Sequence, residues 1–206
     1  MTGKNDYFKT FCTVSKALGT TLGMQEILDL IIQSSINTMG GKAACLFLAN
    51  EERDVFEFVA QRGLSESYLH AKPMQAKKVV DEILEGGYLS IYDATTDPRL
   101  ENHEEKAAEG IASILVVPVM VSGKAIGVLS LYTSEPRDFA RDEIEFQSAL
   151  AEQGGLAIQQ ARLVERIQKN AELFYYLSSS INSSLDIQKI LHILTAELAD
   201  TLGMKG

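Results

Sequence analysis

Two consecutive apolar runs, Ala112–Met120 and Ala125–Tyr132, constrain the fold of this chain more than any other feature. The four residues between them, Val121–Lys124, contain a Ser-Gly dipeptide of the kind that reverses a chain direction. Runs of this length are typical of strands, so we predict an antiparallel hairpin in a sheet. Because both runs are apolar over most of their length, we expect one sheet face to pack on helices and the other to line a cavity or core.

The residues upstream predict two helices and a second hairpin. Apolar positions recur at helical spacing over 7–18 and 24–39, and Gly40-Gly41 ends the second helix. The period then changes to that of strands over 43–49 and 55–60, on either side of a polar loop. Further along we predict a short helix over 77–84, a brief strand over 88–92 and a polar loop over 93–99.

A long helical pattern follows Pro136 and continues without a proline to about Leu177. Asp142 and Glu143 stand in its first turn, where acidic side chains favour the positive end of the helix dipole. We expect Gly154-Gly155 to weaken the helix locally. The apolar stripe exceeds what one small domain needs, which predicts packing against a partner helix. The residues expected at that interface are Ala157, Ala161, Val164, Ile167, Ala171 and Phe174.

An internal repeat bears on the C-terminal residues. The segment Leu185–Leu191 resembles Leu22–Leu28, and at the same offset Thr201, Gly203 and Lys205 repeat Thr38, Gly40 and Lys42. The alternative is a chance likeness between two amphipathic helices. From the repeat we predict three parts: a domain over 1–165, a connecting helix over 139–178, and the first helices of a truncated second domain over 179–206.

The charge balance excludes some classes of partner. The chain has 28 Asp and Glu against 19 Lys and Arg, a net charge of -9, which argues against nucleic acid and against an anionic membrane surface. The most apolar run, 111–121, is about half as long as a membrane span requires. With no apolar signal core near the N-terminus, we predict a cytoplasmic protein whose cysteines, Cys12 and Cys45, are reduced thiols.

In their order along the chain these elements resemble the GAF domain family over roughly Gln25 to Arg162. The motifs that carry the resemblance are Gln61–Ser65, Leu89–Ala94 with Asp97–Arg99, Ile114–Val119 with Gly127–Leu131, and Phe139–Ile144. The resemblance implies an α+β fold with a GAF/PAS-like central antiparallel β-sheet of five or six strands, helices on both faces and a long C-terminal connector helix. Ala140 stands where the family often has Thr or Ser, so an N-cap hydroxyl is missing.

The resemblance implies a sensory and regulatory domain rather than an enzyme. A small molecule would bind on the sheet face covered by residues from about Tyr68 to Ile114, and the long helix would transmit its state to output domains elsewhere in a signalling protein, such as a histidine kinase or a cyclic-dinucleotide enzyme. Candidate pocket residues are Tyr68, Tyr92, Asp93 and Arg99, because aromatic and polar side chains orient ligands in such pockets. For Asp93 and Arg99 the alternative role is to order their own loop.

We also expect a homodimer formed through the N-terminal and long C-terminal helices. The alternative function is a ligand-free dimerisation or scaffolding module. A third is the family's reductase of free methionine sulfoxide, although Cys12 and Cys45 do not reproduce its cysteine cluster.

The resemblance leaves the ligand or cofactor unknown. Cyclic-nucleotide binders of the family have an Asn-Lys pair before a Phe and an Asp-Glu pair, whereas here Phe139 and Asp142-Glu143 follow no such pair. Neither cysteine lies where a bilin would attach. His70 and His103 lie in the region where a haem ligand would be expected, but both are surrounded by polar residues, which favours surface positions. The histidines and cysteines show no metal-ligand spacing.

Overall fold

The computed structural model describes residues 3–20, 23–50, 55–69 and 87–201. In chain order its elements are α1 (Gly3–Ala17), α2 (Met24–Met39), β1 (Ala43–Asn50), β2 (Val55–Arg62), α3 (Glu66–Leu69), β3 (Leu89–Ile91), α4 (His103–Glu109), β4 (Ser113–Val121), β5 (Lys124–Thr133) and α5 (Arg141–Thr201). The helix predicted over 77–84 lies outside the described residues. Helix α4 was not predicted, because its seven residues are mostly polar and show no apolar stripe.

The five strands form one antiparallel sheet in the order β2-β1-β5-β4-β3. The hairpin of β4 and β5 is confirmed and pairs Val121 with Lys124 at its end. Its turn residues, Ser122 and Gly123, both have positive φ, at 51° and 80°, as a tight two-residue hairpin turn requires. The predicted α+β architecture with a central antiparallel sheet is therefore confirmed.

Alternation along the strands separates two cores, one on each face of the sheet. Leu46, Leu129 and Val117 pair across three strands on one face, which α1, α2 and the first part of α5 cover. We call this the helix-covered face. Cys45, Ser130 and Val116 pair on the opposite face, which short elements and connecting segments cover. We call this the loop-covered face.

Helix α5 begins without a hydroxyl cap, and a carboxylate replaces it. The backbone N–H of Ala140 donates to Glu143 Oε2 at 2.8 Å, so the third residue of the helix satisfies the cap position's amide. Within the first part of α5, Phe146 stacks on Tyr7 of α1 at 4.8 Å between ring centroids. Ser15 of α1 donates to Gln153 Oε1 at 3.1 Å. Helices α1 and α5 are thus in direct contact on the helix-covered face.

Helix α5 continues without interruption through Gly154-Gly155, the pair expected to weaken it locally. A Cβ atom at residue 155 would lie 2.4 Å from the carbonyl oxygen of Met120 in β4. At residue 154 it would lie 3.2 Å from Leu46 Cδ1. The glycines let the helix approach the sheet closely, and packing against the core outweighs their low helix propensity.

The chain divides into two compact units, Met1–Gln160 and Ala161–Gly206. Helix α5 extends to Thr201, well past the predicted end near Leu177. The break expected between the opening helices of a second domain is absent from the described part of 179–201. Asn182 and Asp186 stand where the first copy has Gly19 and Gly23, so the glycines that separate α1 from α2 are missing. The tandem repeat itself stays a prediction.

Among the described residues, none of the helices combines the length and the apolarity that a membrane crossing requires.

Candidate functional site

The loop-covered face carries polar groups inside an apolar cluster. Tyr132 and Ser130 of β5 and Cys45 of β1 are all buried there. Burial raises the pKa of Tyr132 well above its ordinary value, and a hydrogen bond with the Ser130 hydroxyl partly opposes that shift. Burial likewise raises the pKa of the Cys45 thiol. At neutral pH all three groups are therefore uncharged, and two of them are hydroxyls that donate and accept hydrogen bonds.

Tyr68 lies on the same face and is the only one of the four predicted pocket residues that joins this cluster. It comes from α3, and its ring meets that of Tyr132 edge to face, with 6.3 Å between the centroids. Burial, and next the nearby charge of Glu109, raises the pKa of Tyr68 above its ordinary value. Tyr132 is near the C-terminal end of the central strand β5, so the two tyrosines form a neutral aromatic pair at that end of the loop-covered face.

A carboxylate of α4 holds the residue that precedes α3. The Ser65 backbone N–H donates to Glu109 Oε1 at 2.9 Å, and the Ser65 hydroxyl donates to Glu109 Oε2 at 2.5 Å. Lys42 Nζ is 3.5 Å from Glu109 Oε1. Burial opposes ionisation of Glu109, but hydrogen bonds from Ser65 hold its pKa below its usual range. Sequence reasoning missed this contact, since the two partners are 44 residues apart.

Asp93 orders its own loop rather than facing the loop-covered cluster. Its Oδ1 accepts hydrogen bonds from the Thr95 backbone N–H at 2.9 Å and from the Thr95 hydroxyl at 2.6 Å. These bonds hold the pKa of Asp93 below its usual range. This is the side-chain-to-backbone pattern of an Asx turn, in agreement with the alternative role stated for this residue.

Arg99 also bonds within the β3–α4 connection. Its Nε and NH2 groups donate to the two carboxylate oxygens of Asp97 at 2.9 and 2.6 Å, and NH2 also donates to the Ser90 carbonyl at 3.2 Å. The guanidinium lowers the pKa of Asp97. Tyr92, the fourth candidate, is 55% exposed at the start of the loop. The three residues lie together at the β3 edge, but their part in a ligand pocket stays a prediction.

Lys106 of α4 is a buried cation that the sequence did not single out. Burial lowers its pKa, and its ammonium donates to the backbone carbonyls of Glu101 and Asn102. His103, considered above as a haem ligand, hydrogen-bonds through Nε2 to the Asp97 carbonyl at 2.8 Å. His70 lies outside the described residues. Over the part of the chain that the structure describes, no three His, Cys, Asp or Glu side chains converge as metal ligands would.

The two cysteines belong to opposite sides of the sheet. Cys45 is buried in the loop-covered cluster, and Cys12 is partly buried on α1, which packs on the helix-covered face. The pair therefore does not meet around one pocket.

The residues predicted at a partner helix fall into two groups. Ala157 is buried in the helix-covered core, and Ala161 is partly buried. Val164 and Ile167 are 53% and 58% exposed, Phe174 is 73% exposed, and Ala171 is also exposed. Leu163, which the prediction omitted, is 53% exposed. The interface prediction is untested and applies to the exposed residues after 160.

Comparison with known proteins gives consistent results. A family model for the GAF domain matches residues 21–159, which is more than half of the chain. A curated relative, the Nif-specific regulatory protein of Azospirillum lipoferum, is 24% identical over 173 residues; the match covers 80% of this chain and only 28% of that protein. The chain thus corresponds to less than a third of that regulator.

Two solved structures are similar in fold. The GAF domain from a phosphoenolpyruvate-protein phosphotransferase of Coxiella burnetii has a TM-score of 0.69 at 18% identity, covering 81% of this chain and 99% of that one. A domain of a protein assigned as a two-component sensor histidine kinase from Sinorhizobium meliloti has a TM-score of 0.61 at 26% identity, covering 70% and 97%. Sheet order, helix placement and the family match agree, and this chain belongs to the GAF domain family.

Proposed function

We propose that this domain is a signal input module: a small molecule binds at the loop-covered face and changes the packing of α5. The observation that carries the proposal is the position of α5 itself. Its first part contributes Phe146, Leu150 and Ile158 to the helix-covered core, and the same helix continues without interruption to Thr201. A change in how the sheet packs on its first turns is therefore a change in the helix that leaves the domain core.

The chemistry of the loop-covered face supports binding there. Tyr68, Tyr132 and Ser130 place neutral hydroxyls among apolar side chains, and small-molecule sites combine apolar walls with a few polar groups of this kind. Glu109, through Ser65, holds α3 and hence Tyr68 in place. We propose that the ligand contacts the Tyr68–Tyr132 pair and that the candidate residues Tyr92, Asp93 and Arg99 form the rim beside β3.

A thermal shift screen of the whole chain tests binding. A compound that binds the native state raises the melting temperature by mass action, so a nucleotide, amino acid or tetrapyrrole at a hundred times its Kd would add about 2.7 kcal/mol to the free energy of unfolding. Tyr132→Phe removes one hydroxyl from the face and is expected to reduce that shift. The matched change Tyr175→Phe alters an exposed tyrosine on α5, and is expected to leave it intact. An absence of any shift across the panel would contradict the proposal.

We propose further that the module works as a homodimer through α5 and α1. Leu163, Ile167 and Phe174 are exposed apolar residues spaced by four and seven along α5, as in the seam of a two-stranded coiled coil. Ile167→Glu is expected to weaken association in sedimentation at micromolar concentration. Gln168→Glu, the next residue and exposed off the seam, is the control. A monomeric wild-type chain would contradict this part of the proposal.

A second candidate is the ligand-free module that pairs and spaces output domains. Two observations favour it: the Tyr68 ring packs directly on Tyr132, and apolar side chains of α5 are exposed. It predicts self-association with no thermal shift from any compound. The input module predicts both self-association and a thermal shift from its ligand.

Two further proposals concern what α5 connects to and what residues 179–206 belong to. The curated relative is a regulatory protein of which this chain covers 28%. We propose that α5 leads to an output domain in the cytoplasm, and that residues 179–206 begin a second GAF-like copy. A longer chain sequence that continued past Gly206 into a strand matching β1 would support the repeat. We propose no catalysis for this part, and turnover of free methionine sulfoxide that is lost on thiol blocking would overturn that view.

A further inference from the structure

A buried hydroxyl connects the β3 edge of the loop-covered face to the segment that leads into α5. Ser113, at the start of β4, is fully buried. Its hydroxyl donates to the Tyr92 carbonyl at 2.6 Å and accepts the backbone N–H of Arg137 at 2.8 Å. Tyr92 begins the β3–α4 loop, so one oxygen atom bonds to both the loop and the residues just before α5.

Arg137 extends this connection to two helices. Its NH1 group donates to Glu143 Oε1 at 2.9 Å, and its NH2 group donates to the Met39 carbonyl at the end of α2, also at 2.9 Å. The guanidinium lies 4.8 Å from the centre of the Phe139 ring. Because Glu143 also accepts the Ala140 amide, the position of Arg137 determines how the first turn of α5 is capped.

The bonding leaves little freedom on the loop side. The Ala94 amide donates to the Ala112 carbonyl at 2.7 Å, one residue before Ser113. From there the Asp93–Thr95 and Asp97–Arg99 bonds order the loop as far as residue 100. A change in this loop therefore changes the Tyr92 carbonyl that Ser113 bonds. If the Tyr92 carbonyl moved away, the buried Ser113 hydroxyl would have to turn to another acceptor. The Arg137 backbone N–H, which donates to that hydroxyl, would then shift as well.

We propose that Ser113 and Arg137 are positioning residues that transmit the state of the 92–100 loop to the first turns of α5. This inference rests on the proposed function, because it names the route between the proposed ligand face and the proposed output helix. The route is a contiguous chain of hydrogen bonds: loop carbonyl, Ser113 hydroxyl, Arg137 backbone, Arg137 guanidinium and the Glu143 cap.

The test perturbs the loop without any ligand and measures amide hydrogen exchange over residues 141–150 in the whole chain. Asp97→Ala removes the Arg99 contact and loosens the loop. It is combined with Ser113→Ala, which removes the connecting hydroxyl. The matched control is Ser130→Ala, another buried serine on the neighbouring strand, with the same atom deleted and no bond to the loop or to Arg137.

We expect Asp97→Ala to speed exchange over 141–150 by about threefold or more when Ser113 is present, a coupling size ordinary for residues in one network. In the Ser113→Ala background the same change should affect the loop amides alone. In the Ser130→Ala background the effect on 141–150 should persist. Exchange over 141–150 that ignores Asp97→Ala, or that responds equally in the Ser113→Ala protein, would overturn the proposal.

Should Ser113→Ala fail to fold by far-UV circular dichroism, Arg137→Gln is the second variant. Its side chain is a third exposed, so the change is milder, and it removes both guanidinium contacts. We expect the same loss of transmission, and an unchanged response in Arg137→Gln would overturn the proposal. None of these measurements uses a ligand. A negative ligand screen therefore does not affect their result, and a negative exchange result does not affect the proposal that a ligand binds.

Discussion

The two faces of the sheet differ in the side chains that pack on them and in the length of the elements that cover them. On the helix-covered face, apolar side chains of the sheet pack against three long helices, and the buried Ser35–Gln147 hydrogen bond joins two of those helices to each other. The loop-covered face buries Tyr132, Ser130 and Cys45, with Tyr68 partly buried beside them, and its helices α3 and α4 have only four and seven residues. Short elements with few apolar contacts open at lower free energy than long ones. We therefore expect the helix-covered face to provide most of the stability of the fold, whereas the loop-covered face has hydroxyl groups on the sheet itself.

The comparison with the largest expected effect changes one leucine to alanine on each face. Leu129→Ala, in the middle of the helix-covered core, is expected to lower the free energy of unfolding by about 3–5 kcal/mol, since a fully enclosed cavity cannot collapse. Leu89→Ala, on edge strand β3 of the loop-covered face, should cost about 2 kcal/mol, near the low end of the range. Urea unfolding measures both. Equal losses would contradict the difference between the faces.

The second comparison uses the adjacent glycines of α5. Gly155→Ala is expected to cost about 1–3 kcal/mol, because its Cβ would meet the Met120 carbonyl and the helix must move from the sheet. Gly154→Ala is the matched control, since its Cβ would meet only the ends of side chains, most closely that of Leu46, and the gain in helix propensity of about 1 kcal/mol offsets that contact. Thermal unfolding of the two variants decides. A Gly154→Ala protein that is the less stable of the two would contradict the packing described here.

The third comparison is one of pH. Tyr132 and Tyr68 of the loop-covered face have raised pKa values, so the folded state keeps protons that the unfolded state loses above about pH 10. Below that pH the free energy of unfolding does not depend on these tyrosines' ionisation. Above it, the free energy of unfolding is expected to fall by up to about 1.4 kcal/mol per pH unit for each tyrosine. Tyr132→Phe should reduce the slope. A slope in that variant equal to wild type would show that Tyr132 does not titrate on unfolding.

The smallest expected effect concerns the hydrogen bonds between Ser65 and Glu109, which hold α3 in place. Ser65→Ala removes a hydroxyl that bonds to Glu109, which should lower the free energy of unfolding by about 1 kcal/mol. The same variant should free the thiol of Cys45 for faster reaction with a thiol reagent, because Tyr68 covers the same cluster. Ser67→Ala is the control, since Ser67 contacts Ser65 but has no bond to Glu109. Equal thiol rates in the two variants would contradict the anchoring role.

Much of the architecture could be predicted because its signals are local. The Ser122-Gly123 turn and the apolar runs beside it define β4 and β5 within a few residues. The end of α5 could not be predicted, since serines near 178–184 resemble the break between α1 and α2 but lack its glycines. Helix α4 was missed because it is held by Lys106 and its carbonyl partners rather than by an apolar stripe.

The candidate site was predicted less completely, for a physical reason. Tyr68 was named because aromatic side chains orient ligands in such pockets; the structure places it against the loop-covered cluster, and its part in a ligand pocket stays a prediction. Asp93 and Arg99 have short-range partners, Thr95 and Asp97, which engage them within the loop. The contacts of Ser113 with Tyr92 and Arg137 join residues more than 20 apart. Only the folded sheet brings those partners together.

Native-state amide hydrogen exchange of the whole chain tests the difference between the faces most directly. The account predicts that amides of α4 and of the 93–112 segment open at a clearly lower free energy than those of β5 and of α5 between residues 145 and 158. Exchange of both sets through one global opening, with equal free energies, would contradict it.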